Sequence, residues 1–308
     1  MGRRTTGTVD GLLLVDKPAG VSSHDVVSVA RRALGEKRIG HSGTLDPFAT
    51  GLLVLLIGRA TRLLPHLPGE PKVYEATIRF GAETDTEDLD GTVVQERPLP
   101  MRDALLAALP ALTGAIAQVP PAYSAKRVDG RRAYELARAG VPVELKPVTI
   151  QVHRWDLLTL TDPDGQEVDP GTVSPDGPVQ SARVRIACGG GTYIRSLARD
   201  LARLASSAAH LTQLRRTSSG PFRVEDALTT ADLLEGRARV RPALDALPGV
   251  PVQELTDDDV VRIVRGIDVP ALVDGSWGAL TTPAAGLLVA LAERRAERWQ
   301  PRVVMREA

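Results

Sequence analysis

Asp46 is the residue whose surroundings most invite chemistry. It ends the run Arg38-Ile39-Gly40-His41-Ser42-Gly43-Thr44-Leu45-Asp46 and precedes Pro47, with the apolar stretch Leu52 to Ile57 close behind. Glycines let a backbone approach a ligand, and Pro47 biases Asp46 away from helical geometry. A lone carboxylate held at a loop tip by a buried strand suits a positioned nucleophile or charge stabiliser. The same residues also fit an Asp-Pro turn on the surface, so the rest of the chain must separate the two.

Commoner catalytic sets are absent from the sequence. His24, His41, His66, His153 and His210 never fall at i, i+4, and Cys188 is the only cysteine, which gives no metal-ligand spacing. Ser42 follows His41, but no Gly-x-Ser-x-Gly elbow accompanies it. Gly189-Gly190-Gly191-Thr192 opens a helix without the Gly-Lys-Ser/Thr of a phosphate-binding loop. What remains is a carboxylate, a few Tyr and many Arg, a set that needs no cofactor and no metal.

The elements that would hold Asp46 follow from periodicity. Gly11 to Asp16 reads as a strand, and Ser22 or Ser23 caps a helix reaching about Leu34. Val73, Glu75, Thr77 and Arg79 alternate with Tyr74, Ala76, Ile78 and Phe80, which predicts a strand. An acidic loop, Glu83 to Asp90, leads to a strand at 92–95, and 102–109 reads as a helix. Long strands are expected at 148–160 and 179–188. The helix that follows, 192–206, carries an apolar stripe of Ile194, Leu197, Leu201 and Leu204, with Arg195 and Arg199 stacked on another face. Strands and helices mixed without strict alternation predict an α+β fold with a mixed, mostly antiparallel central sheet flanked by helices. The character changes near residue 240, so we expect a large domain over 1–240 and a small, acidic one over 241–308. A unit that short is marginal alone and should pack on the first.

A formal net charge of zero conceals segregation. Eight Arg and one Asp fall within 183–223, whereas 81–110, 151–182 and 224–308 carry the compensating acid. Arg gathered in one region can present a phosphate-binding face or simply solvated helix faces. No apolar run is long enough to span a bilayer, the start lacks a signal-peptide core, and a single cysteine suits a reducing compartment. These features predict a cytoplasmic protein.

Four segments, in order, resemble the TruB family, the tRNA pseudouridine-55 synthases. They are Gly11-Leu-Leu-Leu-Val-Asp-Lys-Pro18; Gly40-His-Ser-Gly-Thr-Leu-Asp-Pro47; Lys72-Val-Tyr-Glu-Ala76 with Thr84-Asp85-Thr86; and Gly191-Thr-Tyr-Ile-Arg195 followed by Leu214-Arg215-Arg216. Pro121-Ala-Tyr-Ser-Ala-Lys126 and Tyr134 to Gly140 are similar to the loop with which that family grips RNA, expected here over about 120–147. The resemblance covers roughly residues 10–235. It implies the pseudouridine synthase fold and isomerisation of a tRNA T-arm uridine, with no required protein partner. Asp46 is the implied catalytic residue, Arg195 its ion-pair partner, and Tyr74 the ring that stacks on the target base and helps remove the C5 proton. The pairing would oppose the rise in pKa that a dry pocket imposes on a carboxylate.

The resemblance also implies that His41 fills the space left by the flipped base, and that Tyr193 and Leu214 line the pocket. Lys17 either braces the active-site loop or contacts the RNA backbone. Lys126, Arg127, Arg131, Arg132 and Arg138, together with Arg215 and Arg216, would clamp phosphates without reading sequence. Residues 241–308 resemble only loosely the family's PUA-like domain, and their acidic balance argues against strong phosphate contact there. Two rival readings differ in class: a guide-RNA-dependent pseudouridine synthase subunit, and a non-catalytic tRNA-binding or folding module.

Overall fold

The computed structural model describes residues 9–305 except 125, 129–130, 134–135, 137–138, 140–144, 172–175 and 284–285. Tyr134, Arg138 and Gly140 of the expected gripping segment therefore lie outside the described residues. The chain forms two compact units, Met1–Pro47 with Gly51–Gly69 and Pro221–Ala308, and Phe48–Thr50 with Glu70–Gly220.

The first unit begins with β1 (Gly11–Lys17), α1 (Ser23–Leu34), β2 (Ile39–His41) and β3 (Thr50–Ile57). Ser22 caps α1 as expected: its hydroxyl accepts from Asp25 N–H, and the Asp25 carboxylate accepts from Ser22 N–H, closing a capping box. β3 runs antiparallel to β1 with Lys17 opposite Gly51, and β2 pairs with β3 on its other edge. β3 is buried on both faces, which explains its unbroken apolar sequence.

The second unit holds β4 (Lys72–Phe80), β5 (Ala82–Thr84), β6 (Val93–Glu96), α2 (Arg102–Ala108), β7 (Gly114–Gln118), β8 (Arg127–Val128), β9 (Arg131–Arg132), β10 (Val148–Thr161), β11 (Glu167–Val168), β12 (Ser181–Cys188), α3 (Ile194–Leu204) and β13 (Ala209–Ser219). Its sheet runs β11-β10-β12-β4-β13, antiparallel throughout, with β7 on β10. On β4 the alternation is as expected: Tyr74, Ala76, Ile78 and Phe80 are buried. β13 was not expected. Its Arg215, Arg216, Ser218 and Ser219 give no apolar alternation, although three of them are buried.

The chain then returns to the first unit with β14 (Phe222–Arg223), β15 (Leu228–Thr229), α4 (Thr230–Leu234), β16 (Val252–Glu254), α5 (Asp257–Val264), β17 (Val269–Pro270), β18 (Trp277–Thr281), β19 (Leu288–Arg295) and β20 (Arg298–Val304). Strands β16–β20 form a five-stranded sheet with its own core around Trp299 and Ile263. That sheet packs on the rest of its unit. Leu288, Leu291, Val303 and Met305 share one cluster with Leu12, Leu14, Leu52 and Val54, and Arg59 Nη1 donates to Met305 O. Among the described residues no helix is long and apolar enough to cross a membrane.

Candidate active site

The loop that carries Asp46 is anchored on both sides of it. Leu45 N–H donates to Ser23 Oγ (2.8 Å), and that hydroxyl donates back to Leu45 O (3.1 Å). On the other side Pro47 O accepts from Gly20 N–H (2.9 Å) and from Lys17 Nζ (3.1 Å). With Leu45 buried, Asp46 itself stays partly exposed. A carboxylate between two such anchors loses little freedom on binding a substrate, which is what preorganisation requires. His41 ends β2 opposite Leu55, at the start of this loop.

Lys17 is fully buried, and its ammonium donates to Val21 O (2.6 Å), Pro18 O (2.9 Å) and Pro47 O. Of the two roles anticipated for it, bracing the loop matches this geometry; an RNA contact would need an accessible ammonium. Lys17→Met should leave the Pro18, Val21 and Pro47 carbonyls without that donor and destabilise the protein by about 1–3 kcal/mol. Urea denaturation would measure the loss, and a midpoint unchanged from wild type would contradict the brace.

In the second unit Arg195 lies near the start of α3 and is buried, not on an exposed helix face. Its Nη1 donates to Thr86 O (2.6 Å) and faces Asp88 Oδ2 at 3.5 Å, and its Nη2 donates to Tyr123 O (2.9 Å). One turn on, Arg199 meets Glu87 at 2.5 Å and donates to Val119 O, and one turn further Arg203 meets Glu83 at 2.6 Å. The three Arg recur every four residues, so they rise along one side of α3. Opposite them the acidic turn after β5 is tightly built. Thr86 Oγ1 donates to Asp88 Oδ1, and a Cβ on Gly91 would come within 2.3 Å of Thr86 Oγ1.

This ladder engages much of the Arg-rich segment within the fold. Arg195, Arg199 and Arg203 pair with acids of the same unit, and Arg185 pairs with Glu75 at 2.6 Å. Arg215 and Arg216 lie on β13, where neighbours point to opposite faces. Arg216 is 1 % exposed and sits opposite Tyr74, whereas Arg215 sits opposite Glu75. Burial pushes the Lys72 ammonium down, and the charge of Arg216 nearby adds to the effect.

Tyr74 and Leu214 lie on adjacent strands of the same sheet. Leu214 lies opposite Ala76 and Arg216 opposite Tyr74, so these side chains share one face of the sheet. Tyr193 caps α3, and Gln118, fully buried, closes two bonds on its backbone: Tyr193 N–H donates to Oε1 (2.9 Å) and Nε2 donates to Tyr193 O (3.0 Å). Lys126 is half-buried; Arg127, Arg131 and Arg132 form the two-stranded ribbon of β8 and β9. Sequence reasoning missed Gln118, Glu87 and Asp88. The acids carried a signal only in part, since Glu83 and Glu87 share the four-residue spacing of Arg203 and Arg199, whereas Asp88 follows Glu87 directly.

Glu87 is buried and accepts from Arg199 and from Ser196 Oγ (2.8 Å). Burial pushes its pKa up, opposed mainly by Arg199. A carboxyl whose folded pKa is raised favours folding most below its unfolded pKa, and that contribution is lost as pH rises through the folded value. Stability of wild type relative to Glu87→Gln should therefore fall as pH climbs from the ordinary glutamate range. Urea midpoints of both proteins between pH 4 and pH 8 test this; a constant difference would refute it.

Comparison with known proteins finds relatives over most of the chain. The model described as "TruB family pseudouridylate synthase (N terminal domain)" matches residues 31–194, and "tRNA pseudouridylate synthase B C-terminal domain" matches 195–247. A "tRNA pseudouridine synthase B" of Thermobifida fusca is 46% identical over 299 residues, spanning 96% of this chain and 98% of that protein. One from Aromatoleum aromaticum is 45% identical, spanning 92% and 89%, and one from Symbiobacterium thermophilum 42%, spanning 84% and 83%. Among solved structures, a "Cbf5-Nop10-Gar1 Complex" aligns with a TM-score of 0.65 at 23% identity, covering 96% of this chain and 85% of that one. An "H/ACA RNP bound to a substrate RNA containing 2'-deoxyuridine" aligns at 0.64 and 22%, with the same coverage. At those identities the structures speak for the fold.

Proposed function

The chain belongs to the TruB family of pseudouridylate synthases, and from that premise we propose that it isomerises the uridine at position 55, in the T-arm loop of tRNA, with Asp46 as the catalytic carboxylate. It is a tRNA pseudouridine synthase, an intramolecular isomerase. The N1–C1′ bond of the uridine breaks, the base turns, and C5 bonds to C1′ before losing its proton. Atoms are conserved, so the reaction calls for neither a redox nor a phosphoryl cofactor. Bond breaking builds positive character on the ribose, or requires attack on the sugar or loss of its 2′ proton. A fixed carboxylate serves each of these routes.

The target base is stacked in the T-loop and must turn out to be reached. His41 fills the space left behind, Tyr74 stacks on the everted base and assists the C5 proton, and Tyr193 and Leu214 line its pocket. Arg195 serves as the ion-pair partner of Asp46. The ribbon of β8 and β9, with Lys126, holds RNA phosphates, and no protein partner is required. The small C-terminal sheet is the PUA-like domain, and the enzyme works in the cytoplasm.

One observation carries this reading: the ordered motifs lie in a chain 46% identical, over nearly the full length of both, to a protein named tRNA pseudouridine synthase B. The test is to incubate purified protein with unmodified tRNA transcript and map pseudouridine by carbodiimide primer extension. Modification at the T-arm uridine without guide RNA is expected. Modification only with added guide RNA would favour the guide-dependent reading, and tRNA binding without modification the non-catalytic one.

A further inference from the structure

Two adjacent serines open α1, and the structure divides their work. Ser22 caps the helix through Asp25. Ser23, the first helical residue, is 2 % exposed, and its hydroxyl turns instead to Leu45, 22 residues away. A serine hydroxyl carries one hydrogen and two lone pairs, and this one makes both kinds of bond with a single residue. Leu45 N–H donates to Oγ at 2.8 Å, and Oγ donates to Leu45 O at 3.1 Å. The carbonyl of Leu45 and the N–H of Asp46 belong to one planar peptide group. Holding that carbonyl therefore fixes the plane from which the Asp46 side chain departs. On the other side Pro47 restricts Asp46, and Pro47 O is held twice, by Gly20 N–H and by Lys17 Nζ. The anchor after Asp46 is shared between two groups, whereas the anchor before it is one hydroxyl. Ser23, Leu45 and Asp46 all belong to the first compact unit.

The geometry points to Ser23 as a positioning residue for the reaction: its hydroxyl sets the direction of the Asp46 carboxylate through the backbone of Leu45, without touching RNA. The inference rests on the reading of Asp46 as the catalytic carboxylate and deepens it. A carboxylate that acts on a ribose works only within a narrow range of positions, and a displacement of about 1 Å costs on the order of 10²-fold in rate. A buried hydroxyl that served the fold alone would change melting and leave the rate of the folded enzyme untouched.

Ser23→Ala tests this, assayed well below its melting temperature. Its single-turnover rate at saturating tRNA should fall at least about tenfold, while the half-saturating tRNA concentration stays within about threefold of wild type. A smaller fall in the saturating rate would overturn the inference. So would a loss seen only as a higher half-saturating concentration, because Ser23 would then act on binding. Thr229→Ala removes the capping hydroxyl of α4 in the same unit, and it should melt lower than wild type with an unchanged rate. Equal slowing in both variants would show that rate merely follows stability, against the proposal. Ser23→Cys keeps a group of similar size that bonds more weakly, and it supplies the test if Ser23→Ala does not fold. Its saturating rate should be at least about fivefold below wild type at unchanged half-saturation, and a faster variant would overturn the inference. Wild type and Asp46→Asn are run in parallel. An inactive wild type or an active Asp46→Asn would remove the functional reading itself. Active wild type, inactive Asp46→Asn and fast Ser23→Ala would remove this inference alone.

Discussion

Asp46→Asn should form no measurable pseudouridine on tRNA transcript, a loss of at least about 10⁴-fold in single-turnover rate, as when a nucleophile or base is removed. Asparagine keeps the shape of the side chain and can still bond within the loop, but it carries no charge to offer the ribose. The loop itself should survive, because its anchors are the hydroxyl of Ser23 and the ammonium of Lys17, acting on the backbone of Leu45 and Pro47. Melting temperature and tRNA affinity should therefore stay close to wild type, with Kd within about threefold, as expected of a group that acts in the transition state alone. Filter binding and carbodiimide mapping measure the two quantities. Residual turnover within tenfold of wild type would remove Asp46 from the chemistry.

Arg195→Ala should lose turnover on the order of 10²–10³-fold, the scale of a lost electrostatic partner in a dry site, with tRNA affinity much less affected. The variant should also be less stable. Asp88 is buried beside Arg195, and the carbonyls of Thr86 and Tyr123 would lose their donor. Removing one partner of a buried pair costs about 3–5 kcal/mol. Arg195→Lys distinguishes support from chemistry. A lysine restores a positive charge near Asp88 but lacks the planar fork that reaches both carbonyls and the carboxylate at once. It should regain stability while turnover stays low. Equal losses of turnover and affinity in Arg195→Ala would refute the assigned role.

Both predictions draw on parts of the chain that differ in how visible they were beforehand. The helix capped by Ser22, the buried strand behind Asp46 and the alternation that turns Tyr74 inward all follow from neighbours in sequence, and the structure has each of them. β13 escaped notice because its inward residues include Arg216, Ser218 and Ser219, which are polar yet buried. The pleat of that strand sends Arg215 and Arg216 to opposite faces, which no local pattern announced. The α3 arginines were seen as a stacked row, but a row of charges has the same pattern whether water or an acidic turn lies opposite it.

The amino-acid sequence alone determined the family motifs, the α+β class and the placing of Asp46 on a loop before a buried strand, because caps, turns and periodicity act over a few residues. Only the tertiary structure decided which groups satisfy the buried charges: Lys17 on three carbonyls, Arg195 on Thr86, Tyr123 and Asp88, and Arg199 on Glu87. Arg195 and Thr86 are 109 residues apart. A guanidinium is satisfied equally by many carbonyls and carboxylates, so its partners are set by where the chain folds back, not by what stands beside it in sequence.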